Sequence, residues 1–371
     1  MQKKLNSKSN NIFKDLASNK LETREQAINQ LQFWFQNTEI NQLEMLKLWK
    51  ALFYNFWLSD KTEFQVKLMN KIISLTKFIQ EEHLMLFLEA FLITMQREWK
   101  GIDFYRLDKY YLFMRKIIAH FLSFLLSKNF SQTWIQKFDL VLFNTIFSPN
   151  KDDLSKGVTL HIISIFVEEL RKNCFDISIE NLCSILQSFW KLITETNDFT
   201  IIQYVQRNIF QKIISIDAAN ILETNNQEKE KEKQNEKQNS LFKSTEDLKF
   251  FLTNLSESLL KLASSREIAQ ENRNQLYSFR QKVLLIKSQI WPDEILPNEI
   301  KSNLKKRKEP NFSQIDIQKL LEETSKNFDN TKQFNKVQPK KLRKKIRKKK
   351  NEKKPKNRKN RKIKKKTNKF N

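Results

Sequence analysis

Glycine and proline are nearly missing from this chain, two and six of 371 residues, and that scarcity limits the possible folds more than any other feature. Sheets joined by tight turns draw on residues that tolerate positive φ or pre-set a bend, whereas helices joined by short polar connections need few of them. An all-α fold is expected. Thirty phenylalanines and seven tryptophans supply the apolar surface for a sizeable core.

The apolar residues recur at three- and four-residue steps, the spacing of one helical face. Ile28, Leu31, Trp34 and Phe35 form a first stripe, with Thr23 and Gln26 as a capping box before it. Leu43, Leu46, Trp49, Leu52, Phe53, Phe56 and Trp57 form a second. A third runs through Phe64, Leu68, Ile72 and Leu75, with Asp60 and Glu63 placed to cap its helix. Leu84, Leu86, Phe87, Phe91, Leu92 and Met95 make a fourth. Further helices are expected over 117–126, 134–147, 160–170, 179–193 and 201–221. No fixed-period repeat is present, so the architecture expected is an irregular helical-repeat solenoid of the HEAT or armadillo kind. Its body spans residues 12–222. A charged linker without apolar residues occupies 223–240, a helical hairpin over 241–290 is expected to dock back on the body, and 291–371 form a disordered basic tail.

The stretch from Thr94 to Arg115 holds Gly101 and the densest mixture of aromatic and charged residues. Its first helix should stop near Trp99. Gly101 offers a left-handed closure, and Asp103 a carboxylate for the amides that open the next helix. Leu107, Tyr111, Met114 and Ile118 would then line the second arm. The stretch reads either as a tight corner between packed helices or as a recognition surface.

Sites for chemistry are hard to find. Gly101 and Gly157 stand alone, so there is no glycine-rich phosphate loop. His83, His120 and His161 are far apart and lack partners at ligand spacing. Cys174 and Cys183, with eight residues between them, suit neither a disulfide framework nor a four-ligand zinc site, which implies a reducing compartment. The acidic pairs Asp152–Asp153, Glu168–Glu169 and Glu322–Glu323 read as solvated faces, because adjacent acids on a helix point in different directions. The expectation is a protein that is not an enzyme, with no catalytic residue, metal, cofactor or small-molecule substrate. No signal peptide or apolar run of membrane-spanning length is seen, so a soluble intracellular protein without a membrane partner is expected.

Charge is unevenly spread. Residues 301–371 carry 29 Lys and Arg against 6 Asp and Glu, net +23, which leaves net +3 for residues 1–300. From Lys340 to Lys369 there are 20 cations and one acid, Glu352. Such a run repels itself until an anion neutralises it, and nucleic-acid phosphates are the natural partner because each releases condensed counterions. The same run would serve as a nuclear or nucleolar address. Lys340, Lys341, Arg343, Lys344, Lys345, Arg347, Lys348, Lys349, Lys350, Lys353, Lys354, Arg358, Arg361, Lys362, Lys364, Lys365 and Lys366 are the cations assigned to RNA binding or nucleolar targeting.

A family resemblance follows from particular strings. Leu48-Trp49-Lys50-Ala51-Leu52-Phe53-Tyr54 with Trp57, Ser59-Asp60-Lys61, Thr94-Met95-Gln96-Arg97-Glu98-Trp99-Lys100-Gly101-Ile102-Asp103 and Arg106-Leu107-Asp108-Lys109 resemble the ribosomal RNA processing protein 1 family of nucleolar proteins. The likeness spans about residues 15–220, and Pro149, Gly157, His161 and Glu168-Glu169-Leu170 resemble its next block. Thr62 stands where that family has proline, and Leu92 where it has tryptophan. The resemblance implies a non-catalytic nucleolar assembly factor for the large ribosomal subunit, in the nucleus and nucleolus. It would support pre-rRNA processing alongside other large-subunit assembly factors and pre-rRNA within the preribosome. Trp49, Trp57, Asp60, Arg97, Trp99, Gly101, Asp103, Arg106, Asp108 and Lys109 are then the residues expected on a protein or rRNA docking surface. Two other readings stand beside it: a metal-dependent RNA-processing nuclease using Asp152 or Glu169, and a karyopherin-like helical transport adaptor.

Overall fold

The computed structural model describes residues 11–38, 40–147, 156–174, 177–196, 198–218, 241–242, 244–265, 268 and 270–291, and among them every regular element is helical. The charged linker at 223–240, the loop with Asp152 and Asp153, and the tail beyond 291 lie outside the described residues. In chain order the helices are α1 (Leu21–Asn37), α2 (Gln42–Trp57), α3 (Thr62–Ser74), α4 (Glu81–Glu98), α5 (Leu107–Ser127), α6 (Gln132–Leu142), α7 (Lys156–Asn173), α8 (Ile179–Ile185), α9 (Gln187–Glu195), α10 (Phe199–Val205), α11 (Thr245–Ser264) and α12 (Gln270–Ile290). Wide π turns prolong α6 over Phe143–Phe147 and α10 over Gln206–Gln211, and helix continues at 212–218.

Several helix ends differ from their expected caps. α1 begins at Leu21 after Lys20, ahead of the Thr23–Gln26 pair. α3 begins at Thr62 after Lys61, which leaves Asp60 outside it. At the start of α2, by contrast, the Asn41 side chain accepts the Glu44 amide at 2.9 Å, and Ser244 and Asp247 form a reciprocal capping box on α11. The single helix expected over 179–193 breaks at Leu186 into α8 and α9.

Packing follows a two-step rule. α2 rests on α4, α3 on α5, α4 on α6, α5 on α7, and α6 on α8. Within this run each helix packs on the one two places along, the neighbour relation of a solenoid built from stacked helical pairs, whereas α11 and α12 pack on each other. Trp49 sits at the centre of the first stack, its ring 4.7 Å from Phe87, 4.8 Å from Phe91 and 6.0 Å from Phe113. Phe56 and Phe91 lie 4.9 Å and 5.3 Å from Phe113, so three helices share one aromatic cluster. Burying rings of this size contributes about 2 to 3 kcal/mol each, and tilted or edge-on contacts add to it.

Polar ties hold the second half. Arg115 on α5 bonds both Glu168 (2.9 Å) and Glu169 (2.6 Å) on α7, and Lys212 reaches Glu168 at 2.5 Å. The Glu168–Glu169 pair is thus part of an inter-helix network and not the solvated face expected from its spacing. Glu168 is partly desolvated, which opposes its ionisation, but Lys212 and Arg115 outweigh that and hold its carboxyl below the usual range.

Deeper still, Arg171 pairs with Asp217 (Nη2 to Oδ2, 2.5 Å) and donates to the Ile213 carbonyl at 3.1 Å. Asp217 also accepts the Leu241 amide at 3.1 Å. One buried carboxylate therefore joins the helix at 212–218 to the start of the α11–α12 segment. α12 meets the body through Phe279, 6.3 Å from Phe210, and through Asn272, which donates to the Thr196 carbonyl at 3.3 Å.

Asp217→Ala should cost about 3 to 5 kcal/mol, because it leaves the Arg171 guanidinium buried without its carboxylate. The Arg171→Met, Asp217→Leu pair should recover most of that loss in urea unfolding.

Candidate functional site

The corner between α4 and α5 is built on the C-terminal end of α2. The last carbonyls of a helix have no partner within it and must find one nearby. Lys109, on the first turn of α5, supplies it: Nζ donates to the carbonyls of Phe56 (2.8 Å), Trp57 (2.9 Å) and Ser59 (2.8 Å). The next residue, Tyr110, donates its hydroxyl to the Phe53 carbonyl at 3.0 Å. Two consecutive side chains thus close the end of α2. Burial and the nearby Arg106 pull the Lys109 pKa down to about 8, against the opposite pull of Asp60 and Asp103. At neutral pH it remains an ammonium with three N–H groups for three carbonyls.

Arg106 stands outside this lock. Its guanidinium lies 4.7 Å from the Trp57 ring centre, pairs with Asp103 and reaches Asp60 at 3.9 Å. Asp103 accepts the Tyr105 amide at 3.0 Å, and its carbonyl accepts the Arg106 amide at 3.0 Å. Partial desolvation opposes the ionisation of Asp103, but Arg106 and these amides outweigh it and hold its pKa low. The carboxylate therefore shapes the turn before α5, which opens at Leu107, and does not cap the helix itself.

Trp99 ties the corner to α7. A Cβ on Gly157 would lie 2.7 Å from the Trp99 Nε1, so only glycine lets the indole rest on that helix. Trp99 lies 5.2 Å from Tyr111, and Tyr111 4.4 Å from the His161 ring. His161 Nε2 is 3.1 Å from the Tyr111 carbonyl, consistent with a neutral imidazole donating there. Burial pushes its pKa down to about 4.

The ten corner residues expected on a surface divide into two sets. Trp49, 1% exposed, and Lys109, 7% exposed, are buried and offer no docking surface. Their aromatic and cationic character is spent on the core and on the end of α2. Trp57, Asp60, Asp103 and Arg106 form one cluster, Trp99 lies at the α7 contact, and Arg97, Gly101 and Asp108 are exposed. Gly101 takes no positive φ, and nothing lies within 4 Å of a Cβ built on it, so it is not the left-handed closure expected. The buried stripe of α5 runs through Tyr110, Phe113, Met114, Ile117 and Ile118, so Tyr110 and not Tyr111 faces the core. Tyr110 and the exposed pair Phe104 and Tyr105 have roles in the structure that spacing and composition do not signal. Gly157 is legible in the sequence as the second of two glycines and as part of the family's next block, but its contact with Trp99 is not. The tail cations from Lys340 to Lys366 lie outside the described residues.

Burial pushes Cys174 up to about 12 and raises Cys183 as well, so neither is poised as a thiolate. Among the described residues no three His, Cys, Asp or Glu side chains are grouped as metal ligands, and no helix is long and apolar enough to cross a membrane.

Comparison with known proteins places these features in a family. A family model described as "Nucleolar protein, Nop52" matches residues 7–280, well over half of the chain. It runs past the 15–220 likeness noted in the sequence and takes in α11 and the first half of α12. The human protein named ribosomal RNA processing protein 1 homolog A is 26% identical over 332 residues, 76% of this chain and 72% of its own length. Human homolog B is 30% identical over 226 residues, 58% of this chain but only 29% of its own length. The Dictyostelium discoideum homolog is 24% identical over 281 residues, 70% of this chain and 55% of its own. This chain therefore spans less than a third of homolog B and just over half of the Dictyostelium protein.

The two glycines should behave oppositely. Gly157→Ala should lose about 1 to 3 kcal/mol, because the indole must move, whereas Gly101→Ala should be neutral or gain up to about 1 kcal/mol. Thermal unfolding of both variants checks the contrast.

Proposed function

The chain belongs to the Nop52 family of nucleolar proteins, and on that premise we propose that it is a non-catalytic assembly factor for the large ribosomal subunit. In this reading it works in the nucleolus and supports pre-rRNA processing, the activity for which its relatives are named. The helical body docks on other assembly factors and on rRNA within the precursor particle, and the basic tail holds RNA phosphates without regard to sequence.

The observation that carries the proposal is the division of charge. The first 300 residues carry net +3 and the following 71 carry net +23. A near-neutral surface recognises neighbours through shape and local pairing, whereas a polycation gains affinity from counterion release. The helical body supports a scaffold role in a second way: solenoids present long continuous faces to several partners at once. A metal-dependent nuclease is less well supported. Glu168 and Glu169 are engaged by Arg115, Lys172 and Lys212, which leaves them neutralised and not free for a metal. The Lys- and Arg-rich tail argues against a carrier that binds basic import signals, since it would compete for its own site.

Removing residues 340–371 should flatten the plot of log affinity for pre-rRNA against log salt. A tail that neutralises about 8 phosphates contributes a slope of about −6 to −7. Fluorescence anisotropy at several salt concentrations measures it, and an unchanged slope contradicts the tail's role.

A further inference from the structure

We propose that Phe104 and Tyr105 form a preformed aromatic knuckle that seats in an apolar cleft of another protein of the precursor particle, a cleft rimmed by charges of both signs. This deepens the reading above and rests on it. Phe104 is 53% and Tyr105 87% exposed, and their rings meet edge to face at 5.9 Å. Among the described residues they are the two exposed large apolar side chains in ring contact with each other. Contiguous exposed apolar surface on a folded protein marks a place of contact.

The knuckle is held before any partner arrives. Ile102, 8% exposed, anchors one side of the turn. Asp103 fixes the Tyr105 amide, and Arg106 on the other side is stacked on Trp57 and paired with Asp103 and Asp60. Behind these, Lys109 fastens α5 to the end of α2. A turn so constrained loses little conformational freedom on binding, which leaves more of the contact energy as affinity. Aromatic side chains beside an arginine are also the composition of interface hot spots.

Charge decides between protein and nucleic acid. Residues 97–108 carry Arg97, Lys100 and Arg106 against Glu98, Asp103 and Asp108, a balance of zero, and Asp60 adds an acid beside Arg106. A phosphate backbone drawn to the aromatic rings would meet acids as often as cations. Proteins that stack unpaired bases on aromatic residues surround them with excess positive charge, which this turn lacks. A protein surface with an apolar centre and a mixed-charge rim fits it.

The test places photoreactive benzoylphenylalanine at position 105 of the full-length chain, isolates precursor particles that contain it, and irradiates them. The expected adduct resists nuclease, yields to protease, and maps by mass spectrometry to apolar residues of a different protein. In parallel, a Phe104→Ser, Tyr105→Ser chain should lose about tenfold or more of its particle-bound share at fixed salt. Its RNA-binding salt slope and melting temperature should be unchanged, since both side chains lie outside the core. A nuclease-sensitive adduct, an adduct between two copies of this chain, or a particle-bound share within twofold of the wild type overturns the knuckle and leaves the assembly role standing. Failure of the wild-type chain to sediment with precursor particles overturns both.

Discussion

One buried ammonium determines how the corner is put together. Helix α2 ends with carbonyls that point past its last turn, and an unpaired buried carbonyl costs about 1 to 3 kcal/mol. Lys109 gives the Trp57 carbonyl a donor and adds one to the carbonyls of Phe56 and Ser59, which also accept the Ser59 amide and Gln65 Nε2, while Tyr110 adds a bond to Phe53 one turn back. Because both residues open α5, satisfying the end of one helix also fixes where the next begins. Arg106, Asp103 and Trp57 then take up positions that would have no fixed frame without that joint.

From this joint the consequences spread along the stack. α5 carries Phe113 into the aromatic cluster around Trp49 and carries Arg115 to the two glutamates of α7. α7 is seated at its start by the contact of Gly157 with Trp99 and, near its end, by Arg171 and its buried aspartate. Ionic groups are thus used inside the body for registration between helices, where geometry makes them selective, while most of the net charge is carried by the tail. The proposed assembly role needs both properties. A body with a large positive field would hold RNA wherever it met it, and a body without fixed joints would present no defined face.

The fold was legible because few alternatives exist for a chain with two glycines, and because rows of phenylalanine and leucine at helical spacing have one economical use. Details failed where one residue type serves two purposes. Tyr110 and Tyr111 are equally apolar neighbours, and the sequence offered no reason to prefer Tyr110 for the core. A lysine beside aspartate at 108 looks like a solvent-facing cation, yet Lys109 is buried, since a helix end 50 to 53 residues earlier in the chain decides its role. Gly101 looked indispensable for want of other glycines. Gly157, within a helix, proved to be the one with no room for a side chain. The exposure of Phe104 and Tyr105 depended on the course of the turn, which Asp103 and Arg106 set through contacts that spacing does not reveal.

If the Lys109 ammonium makes the corner a rigid joint, urea unfolding of Lys109→Met and Lys109→Arg will register its loss. Methionine, which fills the space but donates nothing, should cost about 3 kcal/mol. Arginine should recover little of it, because a planar guanidinium cannot aim N–H groups at three carbonyls gathered around one point. Unfolding midpoints within error of the wild type for both variants would mean that Lys109 does not hold the corner together.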